Sequence, residues 1–217
     1  MKPAKRICDS RIGDIISILK KEYPDARCTL DFKTPHQLLV ATVLSAQCTD
    51  ERVNIVTKDL FKKYRKPKDF AGADIRELED DIRSTGFFRN KAKSIKESAR
   101  IITNHYRGKM PDSMAKLVKL PGVGRKTASV ILGTAFNKAE GIAVDTHVMR
   151  LSKRLGLTKQ KDAATIEKDL MEIVPKSEWI IFSHLLISHG RAVCTARRPV
   201  CKSCVLMGLC SSARRFL

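Results

Sequence analysis

The apolar residues of this 217-residue chain recur at three- or four-residue spacing along most of its length, the spacing of one face of a helix. No segment shows the strict apolar–polar alternation of a half-buried strand. In the first predicted helix, Ile12, Ile15, Ile16 and Leu19 form one apolar stripe, and the helix ends before Pro24. The pattern predicts an all-α fold with about ten helices.

Capping and helix-breaking residues set the expected bounds of the other helices. Thr34 is the predicted N-cap of a second helix with Pro35 at its first position, and this helix is apolar nearly all round as far as Leu44. Such a helix belongs in the middle of a bundle. We also predict a helix capped by Asp50, a short helix capped by Asp112 that reaches Leu117 and Leu120, and helices over 73–85, 89–105, 125–137, 146–155, 162–174 and 177–192.

The chain is strongly basic. It has 42 Lys and Arg against 23 Asp and Glu, a formal net charge of +19 and a pI near 9.9. Such a balance indicates a polyanionic partner, because neutralising phosphates releases condensed counterions. Nucleic acid is the first candidate, and an anionic membrane surface is the alternative. We expect Lys91, Lys93 and Lys96, on one predicted helix, to face solvent or phosphate.

Composition and run length exclude other classes of protein. An apolar content of 43% is typical of a folded globular chain and excludes intrinsic disorder. No apolar run approaches the roughly 20 residues that span a bilayer. The first ten residues carry no apolar stretch of signal-peptide length. We therefore expect a soluble, cytoplasmic protein without a membrane partner.

Four of the seven cysteines lie in the last 24 residues, in the pattern Cys194-x6-Cys201-x2-Cys204-x5-Cys210. An odd total without a secretion signal favours reduced thiols over a disulfide framework. Four thiolates in a short segment predict a closed metal site. Zinc is one candidate, but the single tight pair and the widely spaced outer ligands favour an iron–sulfur cubane. The remaining cysteines are expected to be small buried side chains: Cys8, Cys28 and Cys48.

A helix-hairpin-helix pattern surrounds residues 120–128, which read Leu-Pro-Gly-Val-Gly-Arg-Lys-Thr-Ala. Gly122 and Gly124 allow a sharp turn and the close approach of a ligand to the backbone. The helix that follows presents unpaired N–H groups and a partial positive charge, which suit a phosphate. An ordinary tight turn between two helices has the same pattern, but the net positive charge favours the phosphate.

Lys126 falls in the first turn of that second helix, where the helix dipole disfavours a cation. The same field favours the neutral amine, the form of lysine that attacks carbon. On its own, this lysine is more simply interpreted as one further phosphate contact.

Asp145 follows an apolar run at the predicted start of another helix, where its carboxylate can act as the N-cap. A carboxylate held in this way also stays rigid and ionised, which suits proton transfer or the stabilisation of a developing cation. Spacing along the chain does not choose between these two roles. His147 is interpreted as a structural or supporting residue.

In this order, the motif at 120–126, Val-Asp-Thr-His at 144–147 and the four spaced cysteines resemble the endonuclease III family of helix-hairpin-helix DNA glycosylases. The resemblance covers nearly the whole chain and includes Leu-Ser-Ala-Gln at 44–47 and Ser-His-Gly-Arg at 188–191. It implies a six-helix barrel with the hairpin at 28–139. It also implies a second domain, formed by 1–27 and 140–217, with a [4Fe–4S] cluster on the four cysteines. The active site would lie in the cleft between the domains.

The resemblance also implies an activity: excision of oxidised pyrimidines from duplex DNA, followed by strand cleavage 3′ to the abasic site. Lys126 would attack the sugar and form a Schiff base, and Asp145 would take protons and stabilise positive charge. The partner would be double-stranded DNA with a damaged pyrimidine or an abasic site, bound by a monomer at the nucleoid. The implied DNA contacts are Gln47, which fills the space of the flipped base, Phe87, at a wedge position usually held by leucine, and the hairpin residues Gly122, Val123, Gly124, Arg125 and Thr127.

Three rival functions remain open in the sequence. An adenine-mismatch glycosylase would carry the same cluster, but with another residue at Lys126 and a large extra C-terminal domain, whereas this chain stops soon after Cys210. A thymine-mismatch glycosylase of similar size usually lacks that lysine too. A DNA-binding module with a sensing cluster would need neither Lys126 nor Asp145.

Overall fold

The computed structural model describes the backbone of residues 3–217 and the side chains from residue 11 onward. This part of the chain has no strand, which confirms the predicted all-α fold. None of its helices is long and apolar enough to cross a membrane. The α-helices are α1 Pro3–Glu22, α2 Pro35–Leu44, α3 Asp50–Lys63, α4 Pro67–Gly72, α5 Ile75–Asp81, α6 Phe88–His105, α7 Met114–Leu117, α8 Arg125–Phe136, α9 Thr146–Arg154, α10 Ala163–Ile173 and α11 Trp179–Ala192.

Contacts divide the chain into two compact units. The first unit combines the N-terminal segment up to Cys28 with Ala139–Leu217, and the second unit is the continuous segment Thr29–Lys138. α1 and α9–α11 therefore belong to the first unit, and α2–α8 to the second.

The second unit is built around α2, which contacts α3, α6 and α8. Thr34 caps this helix by accepting a hydrogen bond from the Gln37 N–H, and Pro35 occupies its first position, as predicted. Eight of its ten residues are buried. The apolar character of α2 on all sides thus reflects a helix surrounded by others.

Three predicted helix starts are wrong. Thr49, and not Asp50, accepts the Arg52 N–H at the start of α3. The helix expected over 73–85 is broken into α5 and a 3₁₀ turn, and it begins only after the N-cap Asp74. The short helix α7 starts after Ser113, because the Asp112 carboxylate pairs with Lys138. It also ends at Leu117, before Leu120.

Helix α4 was not predicted, although the sequence contains helix-start signals for it. Pro67 stands at its first position, and the Asp69 carboxylate accepts the Lys66 N–H at 2.8 Å. Phe70 on α4 is completely buried.

α6 buries the predicted face, Ala92, Ile95, Ala99 and Ile102. The expectation that Lys91 faces solvent is wrong, since its side chain is only 5% exposed. Lys91 lies one helical turn before Ile95, and Ser98 and Ile102 continue the same stripe. The three- and four-residue spacing along α6 therefore places Lys91 on the buried face of the helix.

The first unit packs its core between α1, α9, α10 and α11. The predicted stripe of α1 is buried in it, together with Phe182 of α11 and Leu206 of the C-terminal segment. Beyond Cys194 the chain forms only three 3₁₀ turns, at Cys201–Ser203, Met207–Leu209 and Ala213–Arg215, which agrees with the expected end of helical pattern.

The cysteines outside the C-terminal group differ from the expectation of full burial. Cys28 and Cys48 are only half-buried. Cys8 is in the segment whose side chains lie outside the described residues.

Candidate active site, DNA interface and cysteine cluster

The hairpin turn between α7 and α8 depends on Gly122. Its φ is +78°, and a Cβ added there would stand 3.0 Å from Cβ of Ser94 on α6. The hydroxyl of Ser98, also on α6, donates to the Pro121 carbonyl at 2.8 Å. α6 therefore supports the turn from behind.

Gly124 has a different role from Gly122. It is the N-cap of α8 with an ordinary φ of −84°, and a Cβ added there would meet no atom within 4 Å. The side chain of Val123 is buried, so a ligand can reach this residue only through its main chain. The first N–H groups of α8 follow at Arg125, Lys126 and Thr127, where an anion can accept from them. The side chain of Lys126 is exposed.

Gln47 and Phe87 share an unusual backbone conformation in two separate loops. Their φ angles are 54° and 48°, in the left-handed region that non-glycine residues rarely adopt. Both side chains are exposed, and that of Phe87 is 63% exposed. Both residues line one groove with Gly122 and Thr127, so the structure brings four of the expected DNA contacts together.

Lys91 also lines this groove, although it was not predicted as a residue of the site. Its ammonium group donates to the Leu44 carbonyl at 2.8 Å and to the Thr85 carbonyl at 2.7 Å. These carbonyls belong to the two chain segments that lead to Gln47 and Phe87.

Asp145 is the N-cap of α9, and its carboxylate accepts the Val148 N–H at 2.8 Å. The carboxylate is half-buried, and the apolar residues before it, Ile142 and Val144, are buried in the core of the first unit. The capping role is thus real, and it leaves the carboxylate accessible.

Two histidines interact electrostatically with Asp145. Burial lowers the pKa of His147 and of His184, and the negative charge of Asp145 acts against both shifts. His147 also lies 3.1 Å from the Arg150 guanidinium. The supporting role expected for His147 fits these contacts, whereas no sequence motif singles out His184.

Gly190 allows α11 to approach α9 closely. A Cβ added to Gly190 would stand 2.9 Å from Nδ1 of His147 and 3.0 Å from the Arg150 guanidinium. Arg150 donates to the Gly190 carbonyl at 2.9 Å and to the Cys194 carbonyl at 3.1 Å. This contact joins the surroundings of Asp145 to the start of the cysteine-rich segment.

The four C-terminal cysteines line one cavity in the first unit, with mostly apolar side chains such as Leu151 and Leu206 around them. Burial, reinforced by the neighbouring thiols, raises the pKa of Cys201 and Cys204. Within the described residues, no three His, Cys, Asp or Glu side chains converge closely enough to hold a single metal ion. The donor set and its apolar cavity fit a group bound by thiolates.

Polar side chains surround this cavity. Arg154 donates to Cys194 Sγ at 3.3 Å and to the carbonyls of Thr195 and Ala196 at 2.7 and 2.8 Å. Its guanidinium also lies 4.6 Å from the centre of the Phe216 ring. His189, 2% exposed, places Nε2 3.3 Å from Cys204 Sγ. Such contacts orient sulfur ligands.

Comparison with known proteins identifies the family. A family profile described as HhH-GPD superfamily base excision DNA repair protein matches residues 40–176. The endonuclease III of Synechocystis sp. is 55% identical over 204 residues, which cover 94% of this chain and 93% of the relative. The chain belongs to the endonuclease III family of the HhH-GPD superfamily. The endonuclease III of Bacillus subtilis is another relative, 46% identical over 96% of this chain and 92% of its own.

Solved structures agree with membership of the endonuclease III family. Two endonuclease III–DNA complexes, a trapped covalent intermediate and a non-covalent complex, each have a TM-score of 0.90 and 47% identity. Each covers 95% of this chain and 97% of its own. A thermostable thymine-DNA glycosylase has a TM-score of 0.83 at 25% identity, covering 94% of this chain and 97% of its own. This chain is therefore a DNA-binding glycosylase of base excision repair.

Proposed function

We propose that this protein is a bifunctional DNA glycosylase and abasic-site lyase that removes oxidised pyrimidines and cleaves the strand 3′ to the lesion. The observation that carries the proposal is the position of Lys126, exposed in the first turn of α8, directly after a hairpin suited to phosphate. A relative at 47% identity is described as forming a trapped covalent intermediate with DNA, which supports a covalent mechanism.

Lys126 is the nucleophile in this mechanism. Its neutral amine forms a bond to sugar C1′ as the glycosidic bond breaks, and the damaged base leaves with a proton. The sugar ring opens to an imine, which acidifies the C2′ proton. Removal of that proton breaks the C3′–O bond, and the 3′ phosphate departs. Water then hydrolyses the imine and returns the lysine.

Asp145 takes the proton from the attacking amine and stabilises the positive charge that develops on the sugar. Its bond to the Val148 N–H fixes one carboxylate oxygen, while half-burial leaves the group reachable. Lys126 belongs to the second unit and Asp145 to the first.

The second unit provides the DNA contacts. The N–H groups at the start of α8 donate to a phosphate, for which Gly124 leaves open space. Gln47 occupies the space of the nucleotide that is rotated out of the duplex, and Phe87 enters the base stack as an apolar wedge. Lesions that already weaken stacking cost least to open, which favours oxidised pyrimidines.

Cys194, Cys201, Cys204 and Cys210 hold a [4Fe–4S] cluster in this proposal. Bound there, it supplies covalent links between four points of a segment that has no regular helix longer than one turn. The single tight Cys-x2-Cys pair and the widely spaced outer cysteines support a cluster over zinc. The first unit is then the cluster domain and the second unit the hairpin domain of a monomer that acts at the nucleoid.

Borohydride trapping tests the proposal. The protein is incubated with a duplex that contains one thymine glycol and is then reduced, for wild type, Lys126→Gln and Lys119→Gln. Lys119 is an exposed lysine near the hairpin, so its variant matches the loss of charge. We expect a covalent protein–DNA band with wild type and Lys119→Gln but not with Lys126→Gln.

Other results would redirect the assignment. Base release by wild type without a covalent band would indicate a monofunctional glycosylase. Binding without base release would indicate a non-catalytic DNA-binding protein. A band that persists in Lys126→Gln would show that another amine is the nucleophile.

A further inference from the structure

Lys91 is a buried cation whose partners are two main-chain carbonyls. Its side chain is 5% exposed, and its Nζ donates to Leu44 O at 2.8 Å and to Thr85 O at 2.7 Å. Burial lowers the pKa of Lys91, which reflects the cost of holding an ammonium group away from water. Because its ammonium group is bound to two carbonyls inside the protein, Lys91 differs from the exposed basic side chains of the chain.

The two carbonyls lie in the short segments that lead to the two left-handed residues. Leu44 is the last residue of α2, three positions before Gln47. Thr85 ends a 3₁₀ turn, two positions before Phe87. The Lys91 main-chain N–H also donates to the Phe87 carbonyl at 3.2 Å. One residue of α6 therefore holds both segments.

This arrangement suits an ammonium group better than other side chains. Carbonyls at the ends of helical segments carry partial negative charge, which a cation offsets. An ammonium group has three N–H donors and can reach two chain segments at once. Left-handed conformations of non-glycine residues persist only where surrounding contacts hold them.

We propose that Lys91 is a positioning residue that fixes the Gln47 and Phe87 loops relative to each other, so that both side chains enter the duplex together at the lesion. This inference rests on the proposed function, in which Gln47 and Phe87 insert into DNA. Lys91 itself touches neither substrate nor reacting atoms.

A double-mutant cycle tests this coupling. Lys91→Met is made in wild type and in the Gln47→Ala/Phe87→Ala background. Lys96→Met is the matched control, because Lys96 is another α6 lysine that donates to a main-chain carbonyl, Ala73 O at 2.6 Å, away from both loops. Single-turnover excision of thymine glycol is measured for each variant. A second readout is the fluorescence of 2-aminopurine next to an abasic analogue that cannot be cleaved, which reports unstacking.

We expect Lys91→Met to slow excision about tenfold in wild type and less than about twofold in the Gln47→Ala/Phe87→Ala background. The unstacking signal should fall with Lys91→Met and remain with Lys96→Met. Equal slowing in both backgrounds, or an equal effect of Lys96→Met, would overturn the proposal. So would normal excision by Gln47→Ala/Phe87→Ala alone.

Cooperative thermal unfolding establishes that each variant is folded. If Lys91→Met does not fold, the cycle is repeated with Lys91→Arg, which keeps the charge but displaces at least one loop with its longer, planar group. The same coupling is expected, and its absence overturns the proposal. Failure of the wild type to excise thymine glycol would instead reject the proposed function.

Discussion

His36 is buried on α2 beside Phe70, with the ring centroids 5.2 Å apart. Among the described residues, neither of its ring nitrogens has a hydrogen-bond partner. Burial lowers the pKa of His36 to about 4 from an ordinary value of 6.5. The folded protein therefore keeps this ring neutral at pH values where the unfolded chain protonates it.

This difference makes stability depend on pH. Between the two pKa values the unfolded state binds more protons, so the free energy of unfolding falls as the pH drops. From pH 7 to pH 5 we expect His36 to contribute a loss of about 2 kcal/mol. Denaturant unfolding at both pH values should show a total loss that is smaller by about 2 kcal/mol in His36→Phe than in wild type or in the control His105→Gln, whose ring is exposed. The same slope in His36→Phe would contradict the assignment.

The two hairpin glycines are expected to respond differently to alanine. Gly122→Ala adds strain at a φ of +78° and a close contact with Ser94, so it should lower the free energy of unfolding by about 1–3 kcal/mol. Gly124→Ala fits the unbound protein and should cost less than about 1 kcal/mol, as an N-cap change. Both should weaken DNA binding in a fluorescence-anisotropy titration. Unchanged binding by Gly124→Ala would argue against a phosphate at this turn.

Single-residue conformations mark the limit of what the sequence predicts. The positive φ of Gly122 follows from its residue type, and the Asp145 cap follows from its place before a helix. Nothing in the residue types of Gln47 and Phe87 indicates a left-handed backbone, and the bonds from Lys91 to the carbonyls before them join residues that are far apart in the sequence.

At the scale of helices, N-cap bonds decide where α9 and α10 begin. Asp145 caps α9 through the Val148 N–H at 2.8 Å, and Asp162 caps α10 through the Thr165 N–H at 2.9 Å. The two carboxylates thus have the same structural role, which gives a matched pair for separating capping from catalysis.

Asparagine caps about as well as aspartate, so Asp145→Asn and Asp162→Asn should each change the free energy of unfolding by less than about 0.5 kcal/mol. Only Asp145→Asn should abolish most base excision, because it removes the proton acceptor. Asp145→Ala should cost a further ~1 kcal/mol of stability through loss of the cap. Thermal unfolding and a single-turnover excision assay measure both effects. Equal activity of the two asparagine variants would limit Asp145 to capping.

Helix existence was more predictable than helix ends. Long apolar stripes identified α1, α2, α6 and α8–α11, because burial of one face dominates their stability. The start of α3 was misplaced because either of two adjacent polar residues, Thr49 and Asp50, could act as its cap. The start of α7 was misplaced because its expected cap has a distant partner instead. Asp112 is taken up by Lys138.

At the scale of the whole molecule, the net charge of +19 should make DNA binding strongly dependent on salt. We expect the logarithm of the affinity for a duplex with an abasic analogue to fall linearly with the logarithm of salt concentration. Lys126→Gln should change the slope by no more than about 1, because one lysine neutralises at most one phosphate. A slope near zero in wild type would contradict electrostatic binding.

The two units also differ in when they can be completed during synthesis. The second unit is the continuous segment Thr29–Lys138, so all its residues are present once Lys138 has been synthesised. The first unit needs α1, which is synthesised before the second unit. It also needs Leu206 and the four cysteines, which are synthesised after the second unit. In a nascent chain, the apolar face of α1 therefore stays without its core partners while the second unit is synthesised. A chain truncated before Cys210 would keep every residue of the second unit but would lack one of the four cysteines of the first.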